Sequence, residues 1–191
     1  FQASKQAKMC SFITQIAYGI MMLITLGLTA GGLFSENWVQ SNGVNKGLFC
    51  STANIARDGK QSNVFCDGWW DNLKAYERTV VVCLFIAIVF QVFALVWNFI
   101  TICACCCKKH IIHPLSAISV LNVIAIAIAV IVFAINSSSA INDFSTFLAG
   151  GNRNPDGSIG SSFVMECVAL GMAILCTIVA SLAICFAEKC V

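Results

Sequence analysis

The cysteines are the residues of this chain with the widest range of possible chemistry. There are twelve of them in 191 residues, and a thiol can close a disulfide, carry an acyl chain or bind a metal ion. Four of the twelve lie between residues 103 and 107, and His110 and His113 follow this run. Zinc sites place their cysteines in pairs that are spaced further apart, with a longer spacer before the second pair. We therefore expect no metal site in this run, which leaves acylation and packing.

No other group of residues suggests catalysis. The two histidines have no nucleophile suitably placed beside them, and the chain has no glycine-rich phosphate loop and no pair of carboxylates within an apolar segment. Glu166 is the only acid inside an apolar segment, and an acid within a membrane is a functional candidate. Its position near the end of that segment favours a solvated or hydrogen-bonded structural role. We expect a protein that is not an enzyme and that uses no cofactor.

The composition of the chain indicates that most of it lies in a lipid bilayer. Apolar residues make up 59% of the chain and charged residues 10%, with a mean hydropathy of +0.85, whereas soluble domains carry about 25% charged residues. Four segments reach the length of about 20 apolar residues that a spanning helix needs. They cover residues 11–34, 79–103, 115–135 and 163–187. We predict a single domain over residues 1–191, an all-α transmembrane four-helix bundle, with loops at residues 35–78 and 136–162.

Small and polar residues inside these spans predict how the helices pack. Small residues at a spacing of four let helices approach closely in lipid, and polar side chains form hydrogen bonds between helices. The small pairs are Gly27 and Gly31, Ala125 and Ala129, and Ala169 and Ala173; a homodimer face is the alternative for the first pair. The polar residues expected to bond between helices are Gln91, Asn98 and Asn122.

Basic residues in the short segments set the orientation of the spans. Lysines lie before the first span, between the second and third, and after the fourth, at positions 5, 8, 108, 109 and 189. Because Lys and Arg accumulate on the cytoplasmic side, both termini are predicted to be cytoplasmic. The loops at residues 35–78 and 136–162 are then extracellular, and the chain is a multi-pass protein of the plasma membrane.

This topology divides the cysteines by compartment. Cys50 and Cys66 are the only two in extracellular loops, where a disulfide is favoured over two free thiols. Cys83, Cys167 and Cys176 lie inside spans and are expected to pack as small apolar groups. The other seven lie at the cytoplasmic boundary, where S-palmitoylation is predicted and a purely structural role is the alternative. These are Cys10, Cys103, Cys105, Cys106, Cys107, Cys185 and Cys190.

The first loop contains an ordered set of residues between Trp38 and Arg78. Gly47-Leu48-Phe49-Cys50 follows Trp38, Cys66 comes next, and Arg78 lies at the mouth of the second span. This order resembles the claudin and peripheral-myelin-protein superfamily, whose first loop reads W…GLW…C…C and ends in an Arg. The four spans and the larger first loop are also similar to that superfamily. The chain departs from the pattern in its Phe49 for Trp, in Cys50 directly after it and in a wider interval between the cysteines, which indicates a divergent branch.

The resemblance implies an extracellular fold. In that fold the two loops form a small antiparallel β-sheet over the bundle. Trp38 and Phe49 would then dip towards the outer membrane interface, and Arg78 would donate hydrogen bonds to loop carbonyls. The residues permit three strands, one with Val39 and Val44, one at residues 48–50 and one at residues 64–66.

The resemblance also implies a function in cell junctions or adhesion. The extracellular loops would bind like molecules in cis and in trans and form a barrier or a paracellular path. A stargazin-like auxiliary subunit, which packs beside an ion channel or receptor and modulates its gating or trafficking, is the main alternative, and a myelin-type membrane organiser is another. The expected partners are membrane lipid and either further copies of the chain or a channel subunit, without nucleic acid or a small-molecule substrate. All three functions remain open at this point.

Overall fold

The computed structural model describes residues 2–35, 37–41, 44–48, 69–103, 113–137 and 160–189. Within these ranges the chain forms five helices and two short strands. In chain order they are α1 (Gln2–Phe34), β1 (Val39–Ser41), β2 (Val44–Lys46), α2 (Trp69–Asn72), α3 (Ala75–Cys103), α4 (His113–Asn136) and α5 (Ser161–Lys189).

Four of these helices are long and apolar enough to cross a membrane, as the hydropathy predicts. Their membrane-compatible stretches are Phe12–Phe34 in α1, Ala75–Ile102 in α3, Pro114–Asn136 in α4 and Ser161–Ala183 in α5. Helix α3 begins before its predicted span at residue 79 because Glu77 caps it. The Glu77 Oε2 atom accepts a hydrogen bond from the Lys74 backbone N–H at 2.9 Å, which satisfies a donor that the first helical turn leaves free.

The four long helices form a bundle in which each packs against two neighbours. Helix α1 packs against α3 and α5, and α4 packs against the same two helices. We call the end at which α1 ends and α3 and α5 begin the loop end. The core there combines helix and loop side chains: Leu33, Trp38, Leu48, Leu73, Val80, Val81, Leu84, Ala129, Phe133 and Phe163.

The outer surface of the bundle is apolar along all four long helices. Val89, Phe99 and Ile135 are 64%, 68% and 71% exposed. In water such a surface would drive aggregation, whereas in a bilayer it contacts acyl chains. The exposed apolar side chains therefore fit a bundle surrounded by lipid.

Small residues form most of the predicted helix seams. Ala125, Ala129, Ala169 and Ala173 are buried. A Cβ atom on Gly31 would lie 2.9 Å from the Met165 Cε atom, so Gly31 also lies in a seam, but Gly27 has nothing within 4 Å and is exposed. The prediction for Gly27 is wrong, because residues four apart on a helix are offset by about 40° and need not share one contact.

The strands form a hairpin in the first loop. β1 and β2 are antiparallel, with Val39 opposite Lys46 and Ser41 opposite Val44. Val39 and Val44 therefore lie in separate strands. The expectation of one strand that contains both residues is wrong. The two residues between the paired ends are Asn42 and Gly43, the favoured pair for a two-residue hairpin.

The larger predicted sheet is not confirmed. Leu48 lies at a bend and not in a strand. Phe49, Cys50 and residues 64–66 lie outside the described residues.

Candidate functional site

Trp38 attaches the start of the first loop to the loop end of the bundle. Its indole Nε1 donates a 2.7 Å hydrogen bond to the Gly32 carbonyl in the last turn of α1. Its ring is edge-on to Phe133, with 4.8 Å between ring centroids, and also packs against Phe163. Trp38 is therefore buried among three helices at the loop end, and its position relative to the membrane interface stays a prediction. A buried indole N–H needs an acceptor, and the free carbonyl at the end of α1 supplies one.

Two backbone hydrogen bonds join this segment to the end of the second loop. The Gly160 N–H donates to the Trp38 carbonyl at 3.0 Å, and the Ser162 N–H donates to the Asn37 carbonyl at 3.2 Å. The contact is so close that a Cβ atom on Gly160 would overlap the Asn37 carbonyl. These bonds satisfy donors at the start of α5 and connect the two loops directly. Sequence reasoning missed this contact, for which a glycine directly before the last span is the available signal.

The first described part of the Gly-Leu-Phe-Cys motif also packs at the loop end. Gly47 and Leu48 are both buried, and Leu48 belongs to the same core cluster as Trp38 and Leu73. The motif therefore places an apolar side chain over the top of the bundle, where it shields the helix ends from water.

Arg78 fixes the short helix α2 to the start of α3. Its Nε atom donates to the Leu73 carbonyl at 3.2 Å, and its Nη2 atom donates to the Asp71 carbonyl at 3.1 Å. The guanidinium carbon also lies 5.8 Å from the centroid of the Trp70 ring. Donation to loop carbonyls is the role that the resemblance implies for Arg78, and the five fixed donors of a guanidinium suit it.

Trp70 is a large aromatic side chain of the loop end that stays partly exposed. It is 39% exposed and lies on α2, which precedes α3 in the chain. Lys74 and Tyr76 follow α2 in the chain, with the Lys74 Nζ atom 5.8 Å from the centroid of the Tyr76 ring. The loop end thus carries a positioned indole beside the Arg78 guanidinium.

Glu166 lies deeper at the same end and differs from the sequence expectation. It is 0% exposed, and neither carboxylate oxygen has a hydrogen-bond partner among the described residues. Its Oε1 atom abuts the position of a Cβ on Gly32. The expected solvated or hydrogen-bonded role is therefore wrong, because Glu166 is on the face of α5 that packs against α1.

The other polar residues of the spans form a partly satisfied interior. Gln91 Nε2 donates to Thr29 Oγ1 at 3.1 Å, and Asn98 Nδ2 donates to the Gln15 carbonyl at 3.2 Å. These two bonds connect α3 to α1, as predicted. Asn122 is buried, but neither atom of its amide group has a partner among the described residues. The hydrogen bond predicted for Asn122 is therefore not formed within them.

Only some of the cysteines lie within the described residues. Cys83, Cys167 and Cys176 are free thiols within the spans, and Cys185 is free and exposed. The described residues contain no group of three potential metal ligands. The predicted disulfide between Cys50 and Cys66 and the acylation candidates Cys105, Cys106, Cys107 and Cys190 lie outside the described residues, and the Cys10 and Cys103 side chains are likewise not described. Both assignments stay predictions.

The described part of the site is suited to holding the loops in place and presenting side chains. Trp38, Arg78 and the Gly160 contact each fix a different loop segment to the bundle. A sequence profile described as "Tight junction protein, Claudin-like" matches residues 9–191. A search among curated proteins finds no match.

Proposed function

Since the chain belongs to the claudin-like family, we propose that it is a junction or adhesion protein whose extracellular loops bind other copies of the same chain. The family consists of structural membrane proteins, and the four apolar helices place this chain in the membrane. In the proposed orientation both termini are cytoplasmic, and the loop end faces the extracellular space of the plasma membrane.

The observation that carries the proposal is the position of Trp70. Binding energy at protein interfaces concentrates in a few aromatic and Arg side chains. Trp70 is 39% exposed and lies on a short helix that two Arg78 hydrogen bonds hold in place. A side chain that is already positioned loses little conformational entropy on binding. Trp70 therefore suits a contact with a neighbouring copy.

Expression in cells that lack junctions tests this function. The protein should concentrate at contacts between two expressing cells and remain uniform where only one neighbour expresses it. Trp70→Ala should reduce this enrichment at equal surface expression. Phe99→Ala is the matched control: it removes an aromatic ring that is 68% exposed on α3, away from the loop end, and should leave the enrichment unchanged.

The alternatives predict other outcomes. An auxiliary subunit would follow its channel and spread evenly over the membrane, so equal intensity at one-sided and two-sided contacts would reject the junction function. If Trp70→Ala changed only insertion or membrane position, Trp70 would instead be an interfacial anchor in lipid headgroups.

A further inference from the structure

Glu166 has a fully buried carboxyl group that neither a hydrogen bond nor an ion pair with any described residue stabilises. Its side chain packs directly on the backbone of α1, where a Cβ atom on Gly32 would lie 2.9 Å from the Glu166 Cδ atom. Neither oxygen accepts a hydrogen bond from a described residue. Moving a carboxylate out of water without a partner costs several kilocalories per mole, so a buried carboxyl group is normally paired, protonated or bound to an ion.

A second unpartnered oxygen lies on the same face of α5. Ser162 precedes Glu166 by four residues, so the two side chains project from one face of the helix. Ser162 is also 0% exposed, and its Oγ atom has no hydrogen-bond partner. The hydroxyl and the carboxyl group therefore do not satisfy each other. Three buried oxygen atoms on one helix face thus have no hydrogen-bond partner among the described residues.

The neighbouring element favours a positive ligand. Gly32 lies in the last turn of α1, which ends at Phe34, and a helix C-terminus carries a partial negative charge from its free carbonyls. No described Lys or Arg side chain pairs with Glu166.

Glu77 shows the contrast. It is nearly as buried, but its oxygens accept hydrogen bonds from the Lys74 backbone N–H and the Tyr76 hydroxyl. The Glu166 site thus combines unpaired oxygens with the negative end of α1, which opposes the positive N-terminal end of α5 at Ser162.

We infer that Glu166 and Ser162 form a binding site for a small monovalent cation, with sodium as the ion of best fit. All the unpartnered groups are oxygen atoms, which hard cations prefer, and one carboxylate balances one charge. Divalent calcium would need about six to eight oxygen ligands. Carbonyls at the C-terminal ends of membrane helices also coordinate sodium. Because Trp38 donates to the Gly32 carbonyl, the bound ion would stabilise the attachment of both loops.

Thermal unfolding of the full chain in phosphatidylcholine nanodiscs tests the site. At neutral pH and constant ionic strength, sodium chloride should raise the Tm of the wild type by about 3–5 °C over N-methyl-D-glucamine chloride. Glu166→Gln should remove this difference and melt above the wild type in sodium-free buffer, and Ser162→Ala should reduce the difference. Glu77→Gln, which changes a buried acid that already has partners, should retain it.

Three results would overturn the proposal. They are an equal Tm of the wild type in the two salts, a sodium effect that persists in Glu166→Gln, and a sodium effect of equal size at mildly acidic pH, where a protonated carboxyl group could not balance the charge of the ion. Should Glu166→Gln fail to fold, radioactive sodium bound by the wild type and bound more weakly by Ser162→Ala would decide. Absence of bound sodium would then reject the site.

Discussion

A single indole, that of Trp38, connects three helices and a loop. Its ring contacts Phe133 on α4 and Phe163 on α5, and its N–H donates to Gly32 on α1. The hydrogen bond satisfies a helix-end carbonyl that a bilayer could not solvate. The family motif therefore has a local physical reason at this position, because the residue must be both large and a donor.

Trp38→Ala should destabilise the protein by about 3–5 kcal/mol, the usual cost of truncating a buried aromatic side chain. Trp38→Phe keeps most of the ring but leaves the Gly32 carbonyl without its donor, so it should cost less, about 1–3 kcal/mol. Trp70→Ala is the matched control and should change the free energy of unfolding little. Thermal unfolding in nanodiscs provides the measurement. Equal losses for Trp38→Ala and Trp70→Ala would contradict the assignment.

The disulfide prediction also belongs to single residues. Cys50 and Cys66 are the only thiols predicted to face an oxidising compartment. A disulfide between them should stabilise the protein by about 3 kcal/mol, because it lowers the conformational entropy of the unfolded chain. Cys50→Ser and the double change to Ser should therefore impair surface delivery, and Cys83→Ser, within a span, should not. Non-reducing peptide mapping checks the bond directly, and two free thiols would reject it.

At the scale of elements, the start of α5 depends on the close approach of Gly160 to Asn37. The Asn37 carbonyl accepts from Ser162, and a Cβ on Gly160 would overlap that carbonyl. Gly160→Ala should separate the two backbones and weaken both hydrogen bonds, at a cost of about 2–3 kcal/mol. Protease accessibility of the loops and the Tm should both report the change.

Gly171→Ala provides the control on the same helix. A Cβ there meets nothing within 4 Å, so the change should be neutral or stabilise by up to about 1 kcal/mol through helix propensity. A neutral effect of Gly160→Ala would show that the loops are not joined at this point.

The elements also show what the sequence could predict. Hydropathy alone identifies the four spans, because the length and apolarity that lipid requires are properties of a continuous segment. The first loop pattern also leads to the family. The residues permit one strand with both Val39 and Val44, but the Asn42-Gly43 pair between them favours a two-residue hairpin, and the pairing of β1 with β2 agrees with the hairpin.

Contacts between helices could not be read in the same way. Gly27 and Gly31 have the same sequence signature, but only Gly31 lies against another helix. Glu166 is close to the end of its span, which suggested access to water. Whether Glu166 is buried depends on how far α5 is rotated about its own axis relative to α1. The sequence near Glu166 does not predict this rotation.

At the scale of the whole molecule, the bundle has an apolar exterior and a partly polar interior. Gln91, Asn98, Asn122 and Glu166 are all buried between helices, while lipid contacts the aliphatic side chains. Hydrogen bonds and close packing then supply the helix association that a hydrophobic force cannot supply in lipid. A stable bundle of this kind can hold its loops in fixed positions, which the proposed contact between many molecules requires.

The proposed adhesion must depend on many weak contacts. A loop surface that buries less than about 1,000 Å² supports only weak pairwise binding, and effective adhesion then comes from multivalency within the membrane. When the surface density of the protein is lowered, its enrichment at contacts between two expressing cells should therefore fall by a larger factor than the density itself.

The segment between the predicted disulfide cysteines is our candidate for the contact between cells. Replacing residues 51–63 with a Gly/Ser linker of equal length should abolish enrichment at two-sided contacts and leave surface delivery and the melting temperature close to those of the wild type. The reason is that the replaced residues are polar and the loop attachments at Trp38, Arg78 and Gly160 lie outside them. Quantitative imaging of mixed cells, with surface biotinylation as the control for delivery, provides the measurement. Retained enrichment in the linker variant would move the contact to other loop residues, whereas a linear dependence on surface density would contradict adhesion through an array.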